Sequence, residues 1–270
     1  MQVNQLVHFA REHQAHWLIV RNDEVYIMTQ PLCIPLQSAD ELFNAINANK
    51  SVYLGEHKRS PVYFINASQA AIKPEISGRF IGLKQLINDC DFALFGFAAK
   101  AVQFQHFLET HRYCGRCGQK MKHVGWEMAV HCKRCHHRCY PRLSPCVIMA
   151  VLKGNSILLA QGKKSQSGVH SVLAGFVEPG ETLEQAVARE VKEETNINVK
   201  NPRYFASQAW PFPHQLMVGF IAEYESGKIV IDEKEILHAD WYNLADLPET
   251  PGRYSIAGQL IEYAENQIKS

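Results

Sequence analysis

The sequence predicts an α+β chain in three parts, and three observations point to it. Strand-like runs separated by turn residues fill residues 1 to about 77. Two C-x-x-C pairs lie between Cys114 and Cys135. Beyond residue 143, apolar strand runs alternate with two amphipathic helix patterns, one within 175–197 and one from about Ser255 to Ile268. The boundaries drawn from these shifts are 1–111 for a β-rich N-terminal domain with a helical linker, 112–142 for a cysteine ribbon, and 143–270 for a C-terminal domain.

Composition narrows the class. The 270 residues are 46% hydrophobic and 20% charged, ordinary for a globular protein. The net charge of +1 shows no basic surplus of the kind that advertises nucleic-acid binding. The first twenty residues lack a signal-type pattern, and no run approaches the ~18 apolar residues of a membrane span, so a cytoplasmic protein without membrane contact is expected.

In the N-terminal part, His16–Val20 and Glu24–Met28 flank Arg21-Asn22-Asp23 as a hairpin, and Ser51–Leu54 and Pro61–Ile65 flank a charged loop as a second. Asp40 to Asn49 reads as a short helix capped by Ser38 or Asp40. His8, His13, His16 and His57 are scattered and read as packing or surface residues. Residues 79–111 read as helical, with Leu83, Leu86 and Ile87 in one stripe and a longer helix from about Asp91 to Thr110. Its many phenylalanines imply burial against the N-terminal sheet or a partner chain.

Five of the eight cysteines fall between Cys114 and Cys139, which is metal-site spacing rather than a disulfide framework. Cys114, Cys117, Cys132 and Cys135 form two knuckles separated by a β-rich stretch, the pattern of a zinc ribbon. Four thiolates leave no open position on Zn²⁺, so the ion is structural, one per chain. Neighbouring Arg and Lys partly offset the dianionic centre, and Cys139 falls outside the spacing.

From Leu143 on, Cys146–Leu152 and Ser156–Ala160 read as strands around Lys153-Gly154-Asn155. A polar loop and Ser171–Ala174 follow, and Arg203–Gln208 leads into the Ala209-Trp210-Pro211-Phe212-Pro213 segment; Leu216–Glu223, Lys228–Ile231 and Ala239–Tyr242 read as further strands. The stretch Gly175–Ile197 opens with a glycine-rich turn and continues as a helix. At about 100° per residue, Leu183, Ala186, Val187 and Val191 form an apolar arc, with Glu190 and Glu194 inside it and Glu193 at its margin. Carboxylates facing inward repel one another and lose hydration. A hard divalent cation compensates both, and such a cation often also holds substrate phosphates. The bland alternative is a solvated acidic helix end.

Gly175, Glu181 and Arg189-Glu190-Val191-Lys192-Glu193-Glu194-Thr195-Asn196-Ile197 together resemble the Nudix box, G-x5-E-x7-R-E-U-x-E-E-x-G-U with U aliphatic, over 23 residues. Asn196 stands where the family has glycine, at a position just past the helix where Asn tolerates the left-handed conformation. The resemblance implies a mixed sheet between helices (α/β/α) and hydrolysis of a nucleoside diphosphate linked to a further group, with Mg²⁺ or Mn²⁺. It implies that Glu190 and Glu194 are metal ligands, joined by the backbone carbonyl of Ala174 and by Glu235. Glu193 is a further ligand or a base, Arg189 pairs with a glutamate and orients it, and Glu181 supports the loop or an outer shell of the metal site.

Bacterial NADH pyrophosphatases of this superfamily carry an N-terminal domain, a four-cysteine ribbon, the box and then S-Q-P-W-P-F-P-x-S. Residues 207–215 read Ser-Gln-Ala-Trp-Pro-Phe-Pro-His-Gln and match six of the eight specified positions; Ala209 and Gln215 depart. The resemblance implies NAD(H) as substrate, removal of NAD caps from RNA 5′ ends, and a homodimer. It assigns substrate contacts to Phe176, to Gln208, Ala209, Trp210, Pro211, Phe212, Pro213, His214 and Gln215, to Ala257, and to Glu127 and Tyr140 of the ribbon, the last two crossing between subunits. Trp210, Phe212 and Phe176 offer rigid apolar faces for a ring.

Two other readings compete. Ala209 and Gln215 leave room for ADP-ribose or another dinucleotide as the preferred substrate. A zinc-ribbon RNA-binding protein with a vestigial box is a different class, opposed by the intact Arg189 and glutamates and by the near-zero net charge.

Overall fold

A computed structural model describes residues 13–47, 50–87, 92–163 and 168–267. The chain divides into two compact units, Met1–Arg142 and Leu143–Ser270.

In the first unit, β1 (Ala15–Arg21), β2 (Glu24–Thr29), β3 (Leu32–Cys33), β4 (Leu36–Gln37), α1 (Ala39–Leu42), β5 (Phe43–Ile46), β6 (Val52–His57), β7 (Ser60–Asn66), β8 (Ala70–Ile72), β9 (Gly78–Gly82), α2 (Leu83–Leu86) and α3 (Phe92–Thr110) precede the ribbon. The main sheet runs β3-β2-β1-β7-β6, with β4 beside β1 and β9 beside β2. Both hairpins form where turn residues predict them, with Asn22, Lys58 and Arg59 at positive φ. Phe95, Phe104 and Phe107 of α3 are buried, and Phe104 meets Phe64 of β7 edge-to-face at 5.8 Å, so the phenylalanines are core on the sheet.

The structure corrects three expectations. The helix predicted over Asp40–Asn49 is one turn, Ala39–Leu42, closed by a Ser38/Glu41 capping box; the chain then runs extended as β5, and residues 48–49 lie outside the described residues. Pairing with β8 overrides the weak helical pattern of a segment too short to bury a helical face. Residues 79–82 are strand, because Gly78–Gly82 completes the edge beside β2. Lys228–Ile231 is not a strand but an irregular strap, whose placement matters below. His8 and Asp91 fall outside the described residues.

His16 of β1 is buried, its Nδ1 has no hydrogen-bond partner, and its ring meets that of His57 at 5.3 Å. Burial first, then His57 and Lys58, lowers its pKa to about 4. The unfolded histidine accepts a proton near pH 6.5 while the folded one refuses it until about 4, so stability falls as pH drops through that window. We expect His16→Leu to remove a loss on the order of 1–2 kcal/mol at pH 5 while melting near pH 8 changes little, read by thermal denaturation at the two pH values.

The ribbon's β10 (Lys122–His123), β11 (Val130–His131) and β12 (Arg138–Cys139) belong to the first unit; the second contains β13 (Ser144–Lys153), β14 (Ser156–Gly162), β15 (Leu173–Phe176), α4 (Leu183–Thr195), β16 (Asn198–Trp210), β17 (Gln215–Ser226), β18 (Ile236–Asn243) and α5 (Ile256–Gln267). The sheet runs β16-β17-β13-β14-β18, with β15 also on β13, and β13 and β17 are parallel while the other pairs are antiparallel. Alternation along β13 builds a core on each face. Val147, Met149 and Val151 pack with Ala186, Val187 and Val191 of α4. Cys146, Ile148 and Ala150 pack with Ile256, Ala257, Leu260 and Ile261 of α5. The result is a helix–sheet–helix sandwich.

Candidate active site

Helix α4 starts where a capping box forms between Thr182 and Gln185 and stops where Asn196 turns left-handed, φ 60° and ψ 18°. The Asn196 side chain donates to the Lys228 carbonyl at 3.2 Å, so asparagine both adopts the turn and ties down the strap. Val230 N donates to Thr195 O and Asp232 N to Glu194 O, which secures residues 228–232 along the end of α4.

The predicted wheel holds. Ala186, Val187 and Val191 are fully buried, and Glu194 is 8% exposed among them. Its Oε2 has no hydrogen-bond partner. Burial, then the charges of Glu190, Glu235, Asp232 and Glu193, push its pKa up to about 8. Glu190 is raised as well, by burial above all, against the opposing pull of Arg189. Cys146 on β13 reports the same negative field: burial, then Glu190 and Glu194, push its thiol up to about 12, so it stays protonated.

Arg189 organises the near side. It donates through Nε and Nη2 to the two oxygens of Glu181 (2.8 and 3.0 Å), through Nη1 to Glu190 (2.8 Å) and Glu193 (3.2 Å), and through Nη2 to the Phe176 carbonyl (2.8 Å). Glu181 also accepts from Glu178 N. One guanidinium therefore ties the loop to the helix and orients Glu190. Glu193, 63% exposed, faces solvent.

Gly175 has a different reason from the turn read in the sequence. It lies in β15, and a Cβ there would stand 1.8 Å from Cδ of Glu190. The turn itself belongs to Gly180, φ 89°. An unpartnered buried carboxylate and a second one seated against a glycine, in the added negative field of Asp232 and Glu235, are oxygen donors of the kind that suits a hard divalent cation.

The 207–215 segment ends β16 and turns over residues 211–214. Trp210 and Phe212 pack edge-to-face at 5.1 Å, and His214 Nδ1 lies 3.2 Å from Ser144 Oγ. Trp210, Gln208 and Ala257 come together around a cavity of about 270 Å³, with Ile148, Ser171 and Met217 among its other walls. Gln208 is buried with its amide fully engaged: Nε2 donates to Tyr254 O and Oε1 accepts from Ile256 N, each at 2.8 Å. Phe176 is 52% exposed. Ala209, Phe212, Pro213, His214 and Gln215 do not line that cavity. Glu127 and Tyr140 belong to the first unit, where Glu127 accepts from Arg138 at 2.7 Å and Tyr140 is exposed.

The ribbon brings the four predicted thiols together. Their sulfurs all lie within 4.8 Å of one another, with Cys114–Cys135 at 3.6 Å and Cys117–Cys132 at 3.5 Å. A tetrahedral Zn²⁺ with bonds of about 2.3 Å needs sulfurs roughly 3.8 Å apart. Cys139 stands aside, 3.2 Å from His137 Nε2.

Comparison with known proteins decides the family. Residues 142–262 match the profile described as NUDIX domain, and residues 109–140 match the NADH pyrophosphatase zinc ribbon domain. The chain is 46% identical over 213 residues to the NAD-capped RNA hydrolase NudC of Escherichia coli strain SMS-3-5, covering 79% of this chain and 80% of that one. It is 47% identical, with the same coverage, to the protein of that name from Shigella flexneri serotype 5b.

The chain belongs to the Nudix family.

A crystal structure of a Nudix hydrolase from Nitrosomonas europaea shares the fold, with a TM-score of 0.51 at 24% identity over 59% of this chain and 93% of that chain. The chain is thus a Nudix hydrolase with a four-cysteine ribbon built for structural zinc. Sequence reading missed Asp232, whose charge adds to the field at Glu194. It stands outside the box, and its place follows from a contact no local pattern shows, Asp232 N donating to Glu194 O. Ile148, Ser171 and Met217 were missed because the cavity gathers them from β13, the segment before β15 and β17, with no local pattern.

Proposed function

We propose that the chain hydrolyses the central diphosphate of NAD(H) to AMP and nicotinamide mononucleotide, and that it also removes NAD caps from RNA 5′ ends. The observation that carries the reaction is Glu194, a buried carboxylate without a hydrogen-bond partner among like charges. Glu190 and Glu194 would hold Mg²⁺ or Mn²⁺, with Glu235 and the Ala174 carbonyl as further ligands. When bound, the cation neutralises diphosphate oxygens and acidifies a water. Arg189 keeps Glu190 oriented, and solvent-facing Glu193 serves as base or additional ligand.

The substrate reading is supported by the NudC relatives and by the cavity at the end of β16, which has room for one ring rather than a whole dinucleotide. Trp210 and Ala257 wall it, and Phe176 with residues 209–215 completes the contact surface. Gln208 acts by holding β16 to the start of α5, because both ends of its amide are already engaged. A homodimer in the cytoplasm brings Glu127 and Tyr140 to the dinucleotide. Among the described residues no helix is long and apolar enough to cross a membrane.

Ala209 and Gln215 favour a second reading, in which ADP-ribose is preferred. Specificity constants for NADH, NAD⁺ and ADP-ribose decide between them. We expect NADH to lead ADP-ribose by at least about tenfold, the discrimination a well-fitted ring pocket supplies; a clear ADP-ribose preference defeats the NAD(H) assignment.

A further inference from the structure

The near-zero net charge conceals a strong local asymmetry. Residues 112–142 hold eight Lys and Arg against one acid, Glu127, for a net +7. The whole chain is +1, so the remaining residues sum to −6. A Zn²⁺ with four thiolates adds −2, which leaves the ribbon at +5. Offsetting the metal centre accounts for only part of this surplus.

Four of the cations share one groove. It encloses about 520 Å³ and is lined by Gln119, Lys120, Met121, Lys122, Lys133 and Arg134. Lys120 and Lys122 alternate along an extended segment and point to one side, while Met121 between them is buried. Lys133 and Arg134 sit in the second knuckle between Cys132 and Cys135. All four are exposed, and none forms an ion pair with a described residue. The ribbon's one acid is already bonded to Arg138. Tyr113 is bridged directly to Lys120 and 67% exposed, which puts an aromatic face beside the cations. A cationic track with a free aromatic ring is the arrangement that holds single strands of nucleic acid: cations follow the phosphates and the ring stacks on a base.

We propose that this ribbon groove binds the phosphodiester backbone of single-stranded RNA, engaging the body of a capped transcript beyond its dinucleotide. The inference rests on the proposed cap-removal activity for its purpose, but RNA binding by the groove is measurable without it.

The test uses the full zinc-loaded chain and a fluorescent single-stranded RNA of a dozen nucleotides, titrated across a salt series. The variants are the triple Lys120→Gln, Lys122→Gln, Lys133→Gln and, separately, Tyr113→Ala. The triple variant should bind RNA at least about tenfold more weakly near 0.1 M salt, with the slope of log K against log salt shallower by about 2, as three lost phosphate contacts require. Free NADH hydrolysis should be unchanged, whereas kcat/KM for NAD-capped RNA should fall with RNA affinity. If the triple variant does not fold, each single Lys→Gln should flatten the slope by about 0.7. RNA affinity and salt slope equal to the parent protein's would overturn the proposal. So would binding to phosphatidylserine vesicles without binding to RNA. A parent chain that fails to hydrolyse NADH defeats the proposed activity and leaves the RNA titration to judge the groove alone.

Discussion

Glu194→Gln should lower Mg²⁺- or Mn²⁺-dependent turnover of NADH by at least about a thousandfold and, at the same time, stabilise the protein. Both effects come from one arrangement. Glu194 lies in the apolar arc of α4, beside Val191 and Val187, with the charges of Glu190, Glu235 and Asp232 acting on it. Without a cation its charge is unfavourable there, and its pKa rises from 4.5 to about 8. The unfolded carboxyl ionises near 4.5 while the folded one keeps its proton to about 8. Stability without added divalent cation therefore falls as pH climbs through that interval. Glutamine resembles the protonated acid in shape and never ionises. Near pH 8 the variant should be more stable by on the order of 2–4 kcal/mol, and near pH 4.5 the two proteins should melt together. Turnover close to the parent's, or a lower melting point at pH 8, contradicts the metal-ligand role.

Gly175→Ala should cost about a hundredfold in kcat with little loss of fold. The added methyl would fall on the carboxylate of Glu190, 2.1 Å from each oxygen. Glu190 is the far end of a flexible side chain, so it swings away and β15 survives; what is lost is the position that Arg189 Nη1 holds at 2.8 Å. A displacement near 1 Å at a metal-binding carboxylate is enough for a loss of that size. Thermal melting separates displacement from unfolding. Activity within a few-fold of the parent, with melting unchanged, would show that the close approach of Gly175 and Glu190 is dispensable.

These two positions also show what can be read from sequence. Glu194 was legible because a helix has a fixed period, and a carboxylate on its apolar arc is conspicuous on paper. The four cysteines were legible for a similar reason, since knuckle spacing is local. Gly175 was legible as part of a motif but not in its reason: a turn glycine and a glycine that makes room for a distant side chain look the same in a sequence, and only the second applies. Asn196 could be anticipated as a left-handed cap, yet its bond to Lys228 could not, because the partner arrives from a segment with no regular pattern. Gln208 shows the same limit. The motif places it at the substrate, whereas its hydrogen bonds join β16 to the first residue of α5 across 48 residues of chain. In the first unit, the helix expected after Asp40 yielded to strand pairing with β8, a tertiary preference that no local window contains. The ribbon charge was visible residue by residue and hidden in the sum, because an acidic remainder cancels it.

The measurement that bears most directly on the central claim is the identity of the products. The full chain is incubated with NADH and Mg²⁺ or Mn²⁺, and the mixture is resolved by chromatography. Hydrolysis at the diphosphate predicts AMP and reduced nicotinamide mononucleotide in equal amounts, with Glu194→Gln forming neither. Free nicotinamide with ADP-ribose, or NADH left intact, would contradict it.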